Sequence, residues 1–415
     1  MNAAEFIPAL MKSGASLSAL DDNGNSALAC AAMNGKMEAL QALLEAGPSQ
    51  EAKDLALLPT SSRQQVDAVR ALIKAGAKPF AKSATEQMTA LHMNMSNCIS
   101  GVDTEVARML LDAGADANAT DEAGVTPLML ATSSMEAVQM LLAAGADAKA
   151  VSKTGYTALH SACQTDSAVA VVKLLLDSGA KVHVNQATLD FGTTPLMLAA
   201  KRSEGAAEMV KVLLDLGADV KAIDNDGFTA LREATGSLEA VQLLLAAGAD
   251  AKAVDANGNS ALYTACDNGG GVAVVRLLLD NGAGAVINQK GRYDWTPLMC
   301  AARRGIADVI KVLAAAGADV AAADNSGDTA LHKASCEDVS VVRLLLDKGA
   351  KAVIDKPGSS GRTALMCAAR RYDSPGGVDA TKALLAAGAD KSLRDEDGQT
   401  ALDGANDDDV KALLQ

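Results

Sequence analysis

Apolar residues in this chain arrive in short paired bursts of helical spacing, with polar stretches between the pairs. The segment Gly124–Asp147 shows the unit. Leu128, Leu130 and Ala131 lie on one face of a first short helix, and Val138, Leu141 and Leu142 on one face of a second. Thr126 stands where a helix N-cap belongs, and Pro127 follows at the first helical position, where its missing N–H is harmless. Thr132–Ser134 reads as a turn. Gly145 ends the second helix at the left-handed position. A polar stretch then leads to Lys153-Thr154-Gly155, a turn signal just before the next Thr. The unit is helix, turn, helix, extended finger.

The unit recurs. A Ser or Thr followed by Ala or Pro and then Leu begins at Ser26, Thr89, Thr126, Thr157, Thr194, Thr229, Ser260, Thr296, Thr329, Thr363 and Thr400. From Thr89 onward successive starts lie 37, 31, 37, 35, 31, 36, 33, 34 and 37 residues apart. A period of this size implies stacked repeats in which each unit buries its apolar face against its neighbours. A Gly-Ala closure accompanies the triplet, at Gly14, Gly76, Gly114, Gly145, Gly179, Gly217, Gly248, Gly282, Gly317, Gly349 and Gly388.

These motifs resemble the ankyrin repeat. Thr-Ala-Leu-His stands at Thr89–His92, Thr157–His160 and Thr329–His332. The Leu-Leu pair of the second helix and the closing Gly-Ala-Asp match as well. The resemblance covers the whole chain and implies an all-α repeat solenoid of about 11–12 stacked units, each a helix-turn-helix with a finger, closed by half-repeat caps. On this reading 1–415 is a single solenoid. Residues 1–25 form an N-terminal half-repeat whose helix carries Phe6, Ile7, Leu10 and Met11. Residues 48–84 are a degenerate repeat in which 48–53 is a short finger and Leu55–Pro59 replaces the usual opening, distorting the stack. Residues 85–398 are regular repeats, and 399–415 a capping half-repeat with acidic residues at the start of its last helix.

Departures from the period single out particular layers. Residues 135–151 and 238–254 differ at only two positions, so a block of three repeats looks duplicated. From closing Gly to next Thr is mostly 12 residues, but 15 after Gly179 and 14 after Gly282 and Gly349. The repeats that follow these long fingers end their first helices in Lys201-Arg202, Arg303-Arg304 and Arg370-Arg371. In ankyrin proteins the fingers and the ends of the inner helices line the concave groove. The resemblance therefore implies a broken basic ridge that binds a partner protein carrying an acidic segment. Phe191, Tyr293 and Trp295 lie in the long fingers and join the ridge as partner-binding candidates. Tyr156 and Phe228, directly before their capping Thr, read as rings packed on the next finger.

Composition narrows the chemistry. The 415 residues are 49% hydrophobic but only 2% aromatic, which points to thin layers of Ala, Leu, Val and Met. A net charge of -14 disfavours nucleic acid, whose phosphates need a basic face. No apolar run approaches a membrane span and no secretory signal is visible. The seven Cys show no framework of close pairs, which points to reduced thiols and a cytoplasmic setting, compatible also with a secreted effector. Cys163, Cys266, Cys30, Cys300 and Cys367 fall at helix packing positions, and no metal or cofactor is expected. His92, His160 and His332 recur at one repeat position as backbone-bonding residues. The Asp-rich turns at Asp21–Gly24, Asp224–Gly227 and Asp395–Gly398 lack the closing Glu of a calcium loop and read as tight turns. No P-loop, HExxH, GxSxG or dinucleotide fingerprint is present. The chain reads as a monomeric, non-catalytic interaction scaffold. The alternative is an effector or toxin-neutralising protein acting on another cell's proteins.

Overall fold

The computed structural model describes residues 1–415 except 1–6, 8, 11, 23, 97–103, 166–168, 336–338 and 371–374. Phe6, Met11, Cys98, Cys336 and Arg371 therefore lie outside the described residues, as does Asn23 of the first Asp-rich turn. The fold is the all-α repeat solenoid that the period predicts. It divides into two compact units, one of residues 1–195 and 215–218, the other of 196–214 and 219–415. Among the described residues the fingers carry no strand longer than isolated antiparallel bridges, such as Leu20 with Ser26 in the first unit and Ile223 with Thr229 in the second.

The N-cap triplet acts as its chemistry requires. The side chains of Ser26, Thr157, Thr229, Ser260, Thr296 and Thr363 each accept a backbone N–H three residues on. Thr126, the residue on which the unit was read, is an exception. Its hydroxyl makes no cap bond and is buried without a partner. The inward residues of its helix are Leu128, Met129 and Ala131, with Leu130 only half-buried.

Repeat length has a structural meaning. The two 31-residue repeats have first helices cut to Pro127–Leu130 and Ala230–Glu233, each continued by one 3₁₀ turn. Both then start a second helix at a Ser cap, Ser134 and Ser237. The near-identical stretches at 135 and 238 thus fold alike, one in each unit. The three long fingers take up their extra residues as a 3₁₀ turn directly after the closing glycine, at Ala180–His183, Ala283–Val286 and Ala350–Val353.

Two of these fingers are pinned to the preceding repeat. The Arg292 N–H donates to Asn259 Oδ1 at 2.9 Å, and the Ser359 N–H to Asp328 Oδ1 at 2.8 Å. Gly291 and Gly358 make the approach possible, because a Cβ at either would overlap that same side-chain oxygen.

The 48–84 repeat departs from the sequence reading. Residues 50–53 are not a finger: one helix runs Gln50–Ser62, the longest among the described residues, with Pro59 inside it. Ser49 caps it through Ala52 N. Gln50 and Lys53 donate to the Gly76 and Ala75 carbonyls at the end of the repeat's second helix, at 2.8 and 3.2 Å. Those bonds satisfy orphan carbonyls and favour helix over an extended arm. The turn after this helix places Gln64 at φ 55, where comparable turns use Gly35, Gly205 and Gly305.

Candidate protein-binding surface

In five repeats the third residue of the first helix is a latch that holds the next finger. His92 Nε2 lies 3.0 Å from the Val125 carbonyl, His160 Nε2 3.0 Å from that of Gln186, and His332 Nε2 3.1 Å from that of Arg362. Their Nδ1 atoms meet the cap hydroxyls of Thr89, Thr157 and Thr329 at 2.8–2.9 Å. The three histidines are backbone-bonding, as their register suggested. Burial depresses all three pKa values, that of His160 to about 4. Tyr263 takes the same place, its hydroxyl donating to the Arg292 carbonyl at 3.4 Å, and Arg232 reaches Asp255 Oδ2 at 3.4 Å.

The aromatics before the cap pack on this same position. Tyr156 stacks on His160 at 5.3 Å, and the Arg232 guanidinium lies 3.6 Å above the Phe228 ring. The Asp-rich turns are turn chemistry: Asp224 Oδ1 accepts from the Asp226 and Phe228 amides, and Asp395 Oδ1 from those of Asp397 and Gln399. Among the described residues no three His, Cys, Asp or Glu gather as metal ligands, and Cys30, Cys163, Cys266, Cys300 and Cys367 are free thiols. Burial raises the Cys266 thiol well above its ordinary value and pushes Cys300 up to about 12. Both are poor nucleophiles there.

The described residues of the basic pairs sit at the ends of their helices, and most of these cations already have intramolecular partners. Arg303 pairs with Asp267 of the preceding repeat at 3.2 Å, and Arg304 Nε donates to the Asp267 carbonyl at 2.6 Å. Arg370 pairs with Asp395 of the following repeat at 2.8 Å and donates to Gln399 at 2.6 Å. Asp395 is buried, so this last pair holds two repeats together. Arg202 Nε donates to the Glu204 carbonyl. Lys201 differs: its side chain is 74% exposed, and Glu233 of the next repeat stands at 3.9 Å.

Trp295 is held from two sides. The Arg303 guanidinium lies 4.9 Å from its ring centroid and Lys333 Nζ, from the next repeat, 4.6 Å. Lys333 is mostly buried and fixed by Asp324 at 2.8 Å and Asp328 at 2.9 Å. Burial works against its charge, but those two carboxylates outweigh it and raise its pKa. Tyr293 stays open, 57% exposed at the finger tip, where it and Asp294 take the left-handed backbone (φ 63 and 60). Phe191, in the first unit, is 66% exposed.

Within the second unit these elements enclose a groove of about 710 Å³. The helix ends at Lys201-Arg202, Arg232-Glu233 and Asp267-Asn268 form one wall, and Phe228, Asn257 and Arg292 of the fingers the other. It contains one of the three basic pairs. Arg232 and Arg292 are single cations, so a search for pairs passes over them; the signal for Arg232 was its place at the latch position.

Family models place the chain. One described as "Ankyrin repeats (3 copies)" matches residues 91–186, 170–255, 234–324, 283–356 and 320–395, and one described as "Ankyrin repeat" matches 23–55. Among curated proteins, ZDHHC13 of Danio rerio, a palmitoyltransferase by its name, is 30% identical over 29% of this chain and 23% of its own length. The ankyrin repeat and KH domain-containing protein mask-1 of Caenorhabditis elegans is 33% identical over 29% of this chain and 5% of its own length. The chain thus spans less than a quarter of the curated relatives it matches. Among solved structures, the human ASB11 ankyrin repeat domain is 27% identical with a TM-score of 0.46, covering 54% of this chain and 96% of that one. The Bcl-3 ankyrin repeat domain is 29% identical with a TM-score of 0.45, covering 54% and 98%. Ankyrin repeats are generally protein–protein interaction modules and typically non-catalytic. Among the described residues no helix is long and apolar enough to cross a membrane. With caps, closures and latches recurring in both units, and family models matching continuously from residue 91 to 395, the chain belongs to the ankyrin-repeat family.

Proposed function

We propose that this chain is a non-catalytic scaffold that binds a partner protein through its fingers and the adjoining helix ends. The observation that carries this is the second unit's groove, walled by helix ends and fingers and open to solvent. Exposed apolar finger positions support it: Phe191, Tyr293 and Ile223 are each more than half exposed. Exposed aromatic and basic side chains of this kind are those that dominate binding energies once a partner desolvates them. The candidate residues keep unequal roles. Lys201, Tyr293 and Phe191 present themselves directly, and Arg202 would engage a partner from its place beside the Glu204 carbonyl. Arg303, Arg304 and Arg370 would engage a partner by exchanging Asp267 or Asp395 for its acidic groups, and Trp295 by way of its cation clamp. Arg371 completes the last pair in sequence.

Affinity purification of the tagged chain from its own cells, followed by mass spectrometry, tests the reading. Phe191→Asp with Tyr293→Asp is expected to remove the specific partner at least tenfold. Retention of that partner by this variant and by Arg303→Glu with Arg304→Glu would sink it.

A further inference from the structure

We infer that Asn268 is a site of self-modification: its side-chain amide cyclises onto the Gly269 backbone nitrogen and opens to aspartate and isoaspartate, without an enzyme. This site stands apart from the protein-binding reading and does not depend on it. The chain contains five Asn-Gly pairs, at Asn23, Asn34, Asn257, Asn268 and Asn281. Asn23 lies outside the described residues. Glycine favours the reaction in all of them, because no Cβ screens the attacking nitrogen. Local structure separates the four pairs that are described.

Cyclisation needs a nitrogen free of hydrogen bonds, a side-chain amide free to turn, and a peptide that can rotate to bring the two together. The amides of Gly35, Gly258 and Gly282 donate to the carbonyls of Ala32, Asp255 and Leu279 at 3.0, 2.9 and 3.0 Å. The Gly269 amide donates to no described residue. The side chains divide as well. Asn34 donates to the Cys30 carbonyl at 2.8 Å and accepts from Arg63 at 3.0 Å, and Asn281 donates to the Leu277 carbonyl at 2.8 Å. Asn257 and Asn268 are exposed, and neither side chain makes a hydrogen bond among the described residues. Of the four described pairs, Asn268-Gly269 is the one with both groups free.

Rotation is the remaining demand. Asn268 caps the helix Ala261–Asp267 with ψ 0, which turns the Gly269 nitrogen away from the side-chain carbon. Turning that peptide back breaks no hydrogen bond, because its carbonyl and its N–H are both unbonded among the described residues. Gly269, at φ 75, has open space where a Cβ would stand and accepts either orientation. The flanking bonds stay in place: the Asn268 N–H donates to the Thr264 carbonyl at 2.9 Å and the Gly270 N–H to that of Ala265 at 2.7 Å. The moving part is one peptide, anchored on both sides.

The chemistry balances with water alone. The Gly269 nitrogen gives its proton to hydroxide and attacks Asn268 Cγ. A C–N bond forms, the Cγ–Nδ2 bond breaks, and the side-chain nitrogen leaves as ammonia. Water opens the cyclic imide at the side-chain carbonyl to give aspartate, or at the backbone carbonyl to give isoaspartate. One water is consumed, one ammonia is released, and nothing is oxidised or reduced. Either product sets a new carboxylate beside Asp267 on the helix-end wall of the groove. Isoaspartate also adds a methylene to the connection between Ala261–Asp267 and Val272–Asp280.

Peptide mapping of the full chain tests this. The protein is incubated at mildly alkaline pH, folded and in parallel unfolded in concentrated urea. It is then digested in acid and mapped by mass spectrometry, with isoaspartate identified by electron-transfer fragmentation. In the folded chain Asn268 is expected to convert at least fivefold faster than Asn34, Asn257 and Asn281, to yield both acids, and to speed up with pH. In urea the four rates should draw together to within threefold, because each Asn then meets a freely moving Gly. Equal conversion of Asn268 and Asn257 in the folded chain, faster conversion at Asn34 or Asn281, a product without isoaspartate, or an undiminished spread in urea overturns the assignment.

Discussion

His160 makes the stability of the first unit depend on pH in a way that can be worked out. Its Nε2 lies 3.0 Å from the Gln186 carbonyl and 3.3 Å from that of Thr193. A carbonyl can only accept, so Nε2 carries the proton and Nδ1 accepts from the Thr157 hydroxyl at 2.8 Å. The neutral ring satisfies both bonds. Burial is the main cause that pulls its pKa from 6.5 to about 4, against the two carbonyls and Asp190, which favour the cation. A folded pKa below the unfolded one means that the unfolded state takes up protons first as pH falls. The neutral ring's contribution is therefore complete above pH 6.5 and is lost progressively down to pH 4. At about 1.36 kcal/mol per pH unit the full loss is about 3 kcal/mol, and about 2 kcal/mol is gone by pH 5. Unfolding of a repeat stack need not be two-state, so the readout should be local. Hydrogen exchange of the amides in Ala158–Gln164, corrected for intrinsic rates, is expected to lose about 2 kcal/mol of protection between pH 7 and 5. His160→Gln keeps a neutral donor and acceptor, and should remove most of that pH dependence. A His160 resonance titrating at or above pH 6, or equal pH dependence in the two proteins, would refute the reasoning.

Further outcomes follow from the other contacts. Trp295→Ala removes a ring clamped by Arg303 and Lys333 and should cost about 2–3 kcal/mol, with Phe recovering part of it, read from urea unfolding of the second unit. Thr157→Ala removes both the cap and the donor to the buried His160 Nδ1 and should cost about 2–4 kcal/mol, whereas Thr126→Val, which removes a buried hydroxyl without a partner, should be neutral or stabilising by thermal melts. Gln64→Gly relieves a left-handed backbone and should stabilise by about 1 kcal/mol, provided its side-chain contacts contribute little; a loss in denaturation midpoint would contradict this.

Much of the protein was written in the chain itself. Caps, closing glycines, repeat period, latch histidines and duplicated block all act over a few residues or at one fixed spacing, so local chemistry determined them. The 31-residue spacing was visible in the chain, but the shortened first helices that it reflects came from the structure. The tertiary structure decided what depends on partners a full repeat away. Residues 50–53 became helix because Gln50 and Lys53 found the carbonyls of Gly76 and Ala75. The basic pairs were legible as charge, but not that Asp267 and Asp395, 36 and 25 residues from Arg303 and Arg370, would occupy them. Trp295 read as open until Lys333 arrived from the next repeat, and the single cation Arg292 acquired meaning only from the groove it lines. The reason is one of range. Hydrogen-bonded turns and helix caps are closed within a repeat, whereas an ion pair between layers requires the stack that sets its two ends side by side.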